Sequence, residues 1–535
     1  MLDSIFYNGR INALDDAGNT YEAVGVSNGR IAAVGTDQEL KQYISPQTEV
    51  VDLKGAVMFP GFMEAHNHLA IVAYLFDGID LSPKHANKMD DVLSLVKAET
   101  EKAHPGDWIK GSRYAEYFLA ENRHPSRYDL DQVSSENPVV IYHTSFHACV
   151  LNSRALEIFD INRESTSPQG GIIEKDADGE PTGVLHDAAM MGVFNQLFIT
   201  DLAKMNEHEL AEFCHRACLH FASLGLVFAA DALVIPQTLK MYQLALDAGK
   251  LPIRIYTMNY ALTAEALSGS QIKTGFGSSK LRIGPIKIFA DGGMSNRTAA
   301  VSTPFLTPPH SKGLKIQPRE ELIEKVKWYD ALGYQIAIHA QGDDAISDTL
   351  DAFEAVLGAE SPNPLRHRIE HGGCMYTDLL QRAAAMNIPV AVQPVFFSEL
   401  GDGFIEAFGP EAADRLYPFK SMLAAGIKLG GSSDNPVSDL DPRKGLCGAV
   451  MRTTPSGKVI GPGERLTMDQ ALRMYTSGSA YLSFDEKRNG TIELRKHADF
   501  TVMAADPREV APEKVPEIPF TMTVVGGEVV WNADC

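Results

Sequence analysis

Nowhere in this chain do about 18 uncharged apolar residues follow one another, so no segment reads as a membrane-spanning helix. Blocks of lysine and arginine are missing too, and the formal charge of -21 repels nucleic-acid phosphates and anionic membrane surfaces. Neither nucleic acid nor a membrane is therefore an expected partner, which leaves a small-molecule substrate. Cysteine is sparse: Cys149, Cys214, Cys218, Cys374, Cys447 and Cys535 are scattered without the density of a disulfide scaffold, and a reducing compartment is the simpler reading. Cys214 and Cys218 stand one helical turn apart and read as core-facing helix residues. The opening MLDSIFYNGRI has no basic segment followed by an apolar run, and a cytoplasmic protein is the expectation. Internal repeats and low-complexity tracts are absent as well.

What is present is globular. Hydrophobic residues make up 44% and charged residues 22%, which excludes a disordered or fibrous chain, and 535 residues are too many for one simple core. Residues 1–57 read as short strands with turns, including an Asn28-Gly29 hairpin signal. Residues 483–535 repeat that style, with Gly526-Gly527 in TMTVVGGEVVWNADC. The two ends are expected to pair into one β-sandwich. Between them, over 58–482, eight apolar runs alternate with helix-like segments: AVMFPGFMEAHNH, LVFAADA, IRIYTMNY, IKIFADGG, QIAIHAQG, HRIEHGG, PVAVQPV and IKLGGSSDNPV. Eight is the count of a closed (β/α)8 TIM barrel, whose active site forms at the C-terminal ends of the strands. The stretch from about 106 to 190 breaks the alternation with β-type runs and reads as a β-rich insertion after the first barrel strand. The fold class is α/β.

Most of the eight runs end in polar or titratable residues. His66 and His68 are two apart, so on an extended strand both face one way and can converge on a cation, with Glu64 placed to orient an imidazole. His339, His371 and Asp434 close the fifth, sixth and eighth runs. Any one of them could be a hydrogen-bonded core histidine or a helix cap, but together at strand ends they point to a metal centre. Lys287 sits inside an apolar run, where a bare ammonium is costly. Its amine either pairs, most simply with Asp291, or adds CO2 to become a carbamate that supplies an oxygen ligand.

PGFMEAHNH at 60–68, IKIFADGG at 286–293, IHAQGDDA at 338–345, RIEHGG at 368–373 and SSDNPV at 432–437 resemble the amidohydrolase superfamily. The narrower resemblance is to the YtcJ-like branch that includes N-substituted formamide deformylases. HACVLNSRAL, GEPTGVL, VQP and KHADFTVMAADP extend it over nearly the whole chain. The resemblance implies metal held by His66, His68, His339 and His371, a carbamylated Lys287, and Asp434 as the acid/base residue. Glu64 stands where Asp is more usual in the superfamily, and Asp187 where Glu is more usual in the branch.

The expected chemistry is cleavage of a C–N, amide-type bond by metal-activated water, with one or two zinc ions, or manganese or iron in their place. Tyr114, His147, Gln393 and Arg452 are candidate substrate contacts, Arg452 for a carboxylate. Three alternatives stand beside this: a metal-dependent lyase or decarboxylase on the same scaffold, a non-catalytic barrel, and a metal-free enzyme using Cys374 beside His371. The oligomeric state is open, a homodimer being the simplest symmetric assembly.

Overall fold

The computed structural model describes residues 2–76, 78–168, 170–260, 262–307, 310–359 and 362–534. Eight parallel strands follow one another in chain order within a single sheet: β1 (Phe62–Asn67), β2 (Leu226–Val234), β3 (Arg254–Asn259), β4 (Leu281–Phe289), β5 (Ile336–Ala340), β6 (Arg368–His371), β7 (Val390–Val392) and β8 (Leu429–Gly431). They are the eight apolar runs of the sequence, and they are continuous rather than alternating in polarity because both faces are covered. β1, β2, β3, β6, β7 and β8 are buried at every position. Parallel neighbours need crossovers, and helices such as Pro236–Asp247, Leu262–Ser270, Arg319–Ala331, Asp343–Leu357 and Thr377–Ala385 supply them. The (β/α)8 reading therefore holds.

The chain's ends build two more sheets. One contains Ser4–Tyr7, Ala23–Ser27, Arg30–Gly35 and Glu49–Asp52. The other interleaves Arg10–Asn12, Thr20–Tyr21 and Val57–Pro60 with Phe500–Met503, Phe520–Val525 and Glu528–Asn532. Phe6, Ile11, Met58, Phe500 and Val502 fill the space between them, with the Phe6 and Phe500 rings edge to face at 5.8 Å. Asn28-Gly29 and Gly526-Gly527 both take positive φ, the left-handed pair that a two-residue hairpin turn requires. Arg254 of β3 ties barrel to sandwich by a buried two-pronged bond to Asp499, at 2.6 and 2.8 Å.

The chain divides into two compact units, 1–70 with 207–435 and 439–535, and 71–206 with 436–438. The second contains the β-rich stretch of about 106–190 and begins well before it. Its six strands lie in the order Gly171–Lys175, Pro181–Asp187, Ala148–Leu151, Val139–His143, Ile109–Tyr114, Ile79–Asp80, over a core that includes Tyr114, Ile141, Val150 and Val184. Among the described residues no helix is long and apolar enough to cross a membrane. Cys214 and Cys218 are fully buried on Glu207–Ser223 with their sulfurs 4.0 Å apart.

Candidate metal centre

The C-terminal ends of the barrel strands bring their titratable residues together. Donor atoms of His66, His371 and Asp434 all lie within 4.8 Å of one another, and all three residues are buried. The rings of His66 and His371 are 4.9 Å apart, and that of His339 is 4.4 Å from His371. His68, just past β1, places Nε2 3.1 Å from Asp434 Oδ1, while His66 Nε2 is 3.3 Å from the same oxygen. Asp434 and His371 both have left-handed backbones, φ 60 and 75, so each leaves the regular path of its strand where it reaches the site.

The outer partners of these rings decide which nitrogen faces inward. His66 Nδ1 lies against the carboxylate of Glu370, an acceptor only, so Nδ1 carries the proton and Nε2 presents a lone pair. That lone pair faces Asp434 Oδ1, another acceptor, and two facing acceptors need a proton or a cation between them. His371 Nδ1 donates to Gln393 Oε1 at 2.8 Å, and Gln393 is fixed in turn by Ser432 Oγ at 2.9 Å. His339 donates from Nε2 to the Gly292 carbonyl at 3.1 Å, which leaves Nδ1 as its donor to a cation.

Burial holds His371 down to about 3, so the ring is neutral and has a lone pair to offer. Burial pushes the Asp434 carboxyl up, but the surrounding imidazoles of His66, His68 and His371 outweigh it and hold the group well below the usual carboxylate range. For Glu370 the opposing forces are burial and the Arg368 guanidinium with His66, and the charges win, leaving a carboxylate. Burial pushes Glu64 up to about 8 against the amides of Ser433 and His66.

Lys287 is 2% exposed, and its Nζ has no hydrogen-bond partner and lies 4.8 Å from the Phe289 ring centroid. Burial draws its pKa down to about 8, opposed by Glu370 and Asp434. Asp291 instead accepts the backbone amides of Ala300, Gln341 and Gly342 at 2.8 to 3.0 Å. A buried amine without a hydrogen bond, neutral imidazoles and facing acceptors make a donor set that fits a divalent cation.

The other candidates have protein partners of their own. Gln393 stands behind His371, as described. Arg452 caps Pro442–Met451 and gives its guanidinium to the carbonyls of Ile460, Tyr417 and Leu416 at 2.7 to 2.9 Å, sandwiched near Phe397 and Phe419. Tyr114 and His147 belong to the second unit, where Tyr114 Oη is 3.0 Å from His124 Nδ1 and His147 Nδ1 is 2.8 Å from Asp187. Cys374 is buried, its thiol pushed far up by that burial, with Sγ 3.9 Å from the Met294 sulfur. That is no setting for a thiolate nucleophile. Sequence reasoning passed over Arg368 and Glu370, although both lie inside the RIEHGG motif.

The amidohydrolase family model matches residues 49–531. An N-substituted formamide deformylase of Arthrobacter pascens is 32% identical, covering 98% of both chains. The Bacillus subtilis protein YtcJ is 30% identical over 99% of this chain and 100% of its own. A solved metal-dependent hydrolase of Pyrococcus horikoshii, 26% identical, overlays with a TM-score of 0.77 over 95% of this chain and 99% of that one. By the extent of the family match and the full-length identity, this chain belongs to the amidohydrolase family.

Proposed function

We propose that this protein is a metal-dependent hydrolase that cleaves a carbon–nitrogen amide-type bond of a small molecule. The observation that carries the reading is the meeting of His66, His371 and Asp434 donor atoms within 4.8 Å at the barrel mouth. His66, His68, His339 and His371 would hold the cation, with Lys287 as carbamate adding an oxygen donor. Imidazole donors favour zinc, with manganese or iron as substitutes. When bound, the cation acidifies a water and polarises the substrate carbonyl.

The chain's own residues do the rest. Asp434, ionised at neutral pH, accepts a proton from the attacking water on the carboxylate that faces His66 and His68. It then returns that proton to the leaving nitrogen, which departs readily only when protonated. Glu370 and Gln393 keep His66 and His371 in the tautomers that present Nε2. The Arthrobacter relative, by its name, makes small N-substituted amides the first substrates to try.

The test is elemental analysis of the purified protein beside His66→Ala and Lys287→Ala, with amide hydrolysis followed before and after chelation. About one or two equivalents of a divalent metal, lost together with amine release, is the expected result. A folded protein that holds no metal and gains no activity from any overturns the reading. Release of CO2 in place of an amine and acid redirects it to decarboxylation.

A further inference from the structure

The barrel's seam is not closed by a strand ladder. β1 pairs with β2, and β8 pairs with β7, but among the described residues no ladder pair joins β1 to β8. Isolated links bridge the gap, three of them to backbone amides. The Asp434 amide donates to the His66 carbonyl at 2.9 Å, and the His68 amide donates to the Asn435 carbonyl at 2.9 Å. The third link is a side chain: Glu64 Oε1 accepts the Ser433 amide at 2.9 Å and the His66 amide at 3.3 Å.

Resting on the hydrolase reading, we propose that Glu64 is the positioning residue for Asp434, a carboxyl clamp that closes the seam and fixes the acid/base group against His66 and His68. Ser433 immediately precedes Asp434, whose φ of 60 is a conformation a non-glycine residue adopts at a cost. The Ser433 amide is held by Glu64 and the Asp434 amide by His66, so two consecutive peptides are pinned to β1 just where the chain turns left-handed. The Asp434 oxygen is thereby delivered 3.3 Å from one imidazole and 3.1 Å from the other.

No solvent is at hand to replace the clamp. Glu64 is 0% exposed and Ser433 2%, and a Cβ on Gly430 would meet Ala65 Cβ at 3.0 Å, so the two sides of the seam already touch. A buried amide that loses its acceptor must move to find another, and Asp434 moves with it. Side-chain length enters as well: aspartate is one methylene shorter and would leave the Ser433 amide out of hydrogen-bond reach, whereas glutamine keeps both the reach and the acceptor oxygen.

The experiment compares Glu64→Gln, Glu64→Asp and Glu64→Ala with the unsubstituted enzyme for bound metal, for kcat and KM on an amide that enzyme hydrolyses, and for amide hydrogen exchange over 432–437. Glu64→Gln should keep kcat within about threefold. Glu64→Ala and Glu64→Asp should lose about 10- to 100-fold in kcat, with metal content and KM unchanged and faster exchange in that segment. Unchanged kcat in folded Glu64→Ala, or a loss in Glu64→Gln as large as in Glu64→Ala, overturns the proposal. Where Glu64→Ala does not fold, Glu64→Asp against Glu64→Gln carries the same comparison. If the unsubstituted protein hydrolyses no amide, the hydrolase reading fails separately, and unchanged exchange protection in Glu64→Asp or Glu64→Ala still overturns the clamp.

Discussion

The carboxylate of Glu370 lies between two donors: Arg368 Nε donates to it at 2.6 Å from one side, and Nδ1 of His66 meets it from the other. A ligand whose outer nitrogen is held by a carboxylate is both oriented and made more basic, and loss of such partners weakens metal binding about 10- to 100-fold. Glu370→Gln should therefore show that loss when the protein competes with a chelator for zinc, and its stability should fall too, because one amide oxygen cannot accept from both His66 Nδ1 and Arg368 Nε. Glu370→Ala should be destabilised as well, by about 3–5 kcal/mol, since it leaves the buried Arg368 charge unpaired. Equal metal affinity in Glu370→Gln and the unsubstituted protein would remove Glu370 from the centre.

Acid should weaken the first unit through His497. Burial, helped by Arg254 and opposed by Asp499, lowers His497 to about 4. Its pKa is thus depressed on folding from an unfolded value of about 6.5. The unfolded chain takes up a proton that the folded one refuses, so stability is fully present above about 6.5 and drains away as pH falls toward about 4. The span corresponds to roughly 3 kcal/mol at most. Denaturation midpoints of His497→Gln should depend less on pH over that window than those of the unsubstituted protein, and an identical dependence would assign the acid sensitivity elsewhere.

The eight barrel strands were legible because a parallel strand covered on both faces must be a continuous apolar run, and because barrel chemistry collects at the strand ends. His66, Asp434 and His371 could be picked out on those grounds alone. Glu370 could not. A residue next to a ligand on a regular strand points to the opposite face, and only the approach of β1, some 300 positions earlier in the chain, shows that this opposite face leads to His66 Nδ1. Gln393 was visible as a polar strand end, but its bond to His371 depends on which ring nitrogen it meets. Arg452 carried the same ambiguity, because its carbonyl partners Leu416 and Tyr417 come from another part of the chain. The clamp at Glu64 lies in a gap between strands, which no periodicity reports.

Arg452 should prove a matter of stability rather than of substrate affinity. Its three carbonyl partners are buried with it, and an orphaned buried acceptor costs about 1–3 kcal/mol. Arg452→Met should lower unfolding stability by about 3 kcal/mol or more, measured by denaturant titration, and leave KM unchanged even for a substrate that bears a carboxylate. A rise in KM without loss of stability would return the guanidinium to the substrate.

Lys287 offers a direct spectroscopic test. Addition of CO2 to a neutral amine forms the N–C bond and releases a proton, so carbamate grows in as the ammonium is deprotonated, and burial has already brought that step to about 8. The Nζ has no hydrogen-bond partner to compete for its lone pair. Protein equilibrated with 13C-bicarbonate should show a carbamate carbon resonance at neutral to alkaline pH, missing in Lys287→Ala and strengthened by added zinc, because a cation that accepts the carbamate oxygen would stabilise the adduct. Lys287→Ala should retain less metal than the unsubstituted protein, and a short-chain carboxylic acid supplied in solution should restore part of its amide hydrolysis. Activity and metal content in Lys287→Ala equal to those of the unsubstituted protein would leave Lys287 a buried amine resting on Phe289, and the centre one held by imidazoles alone.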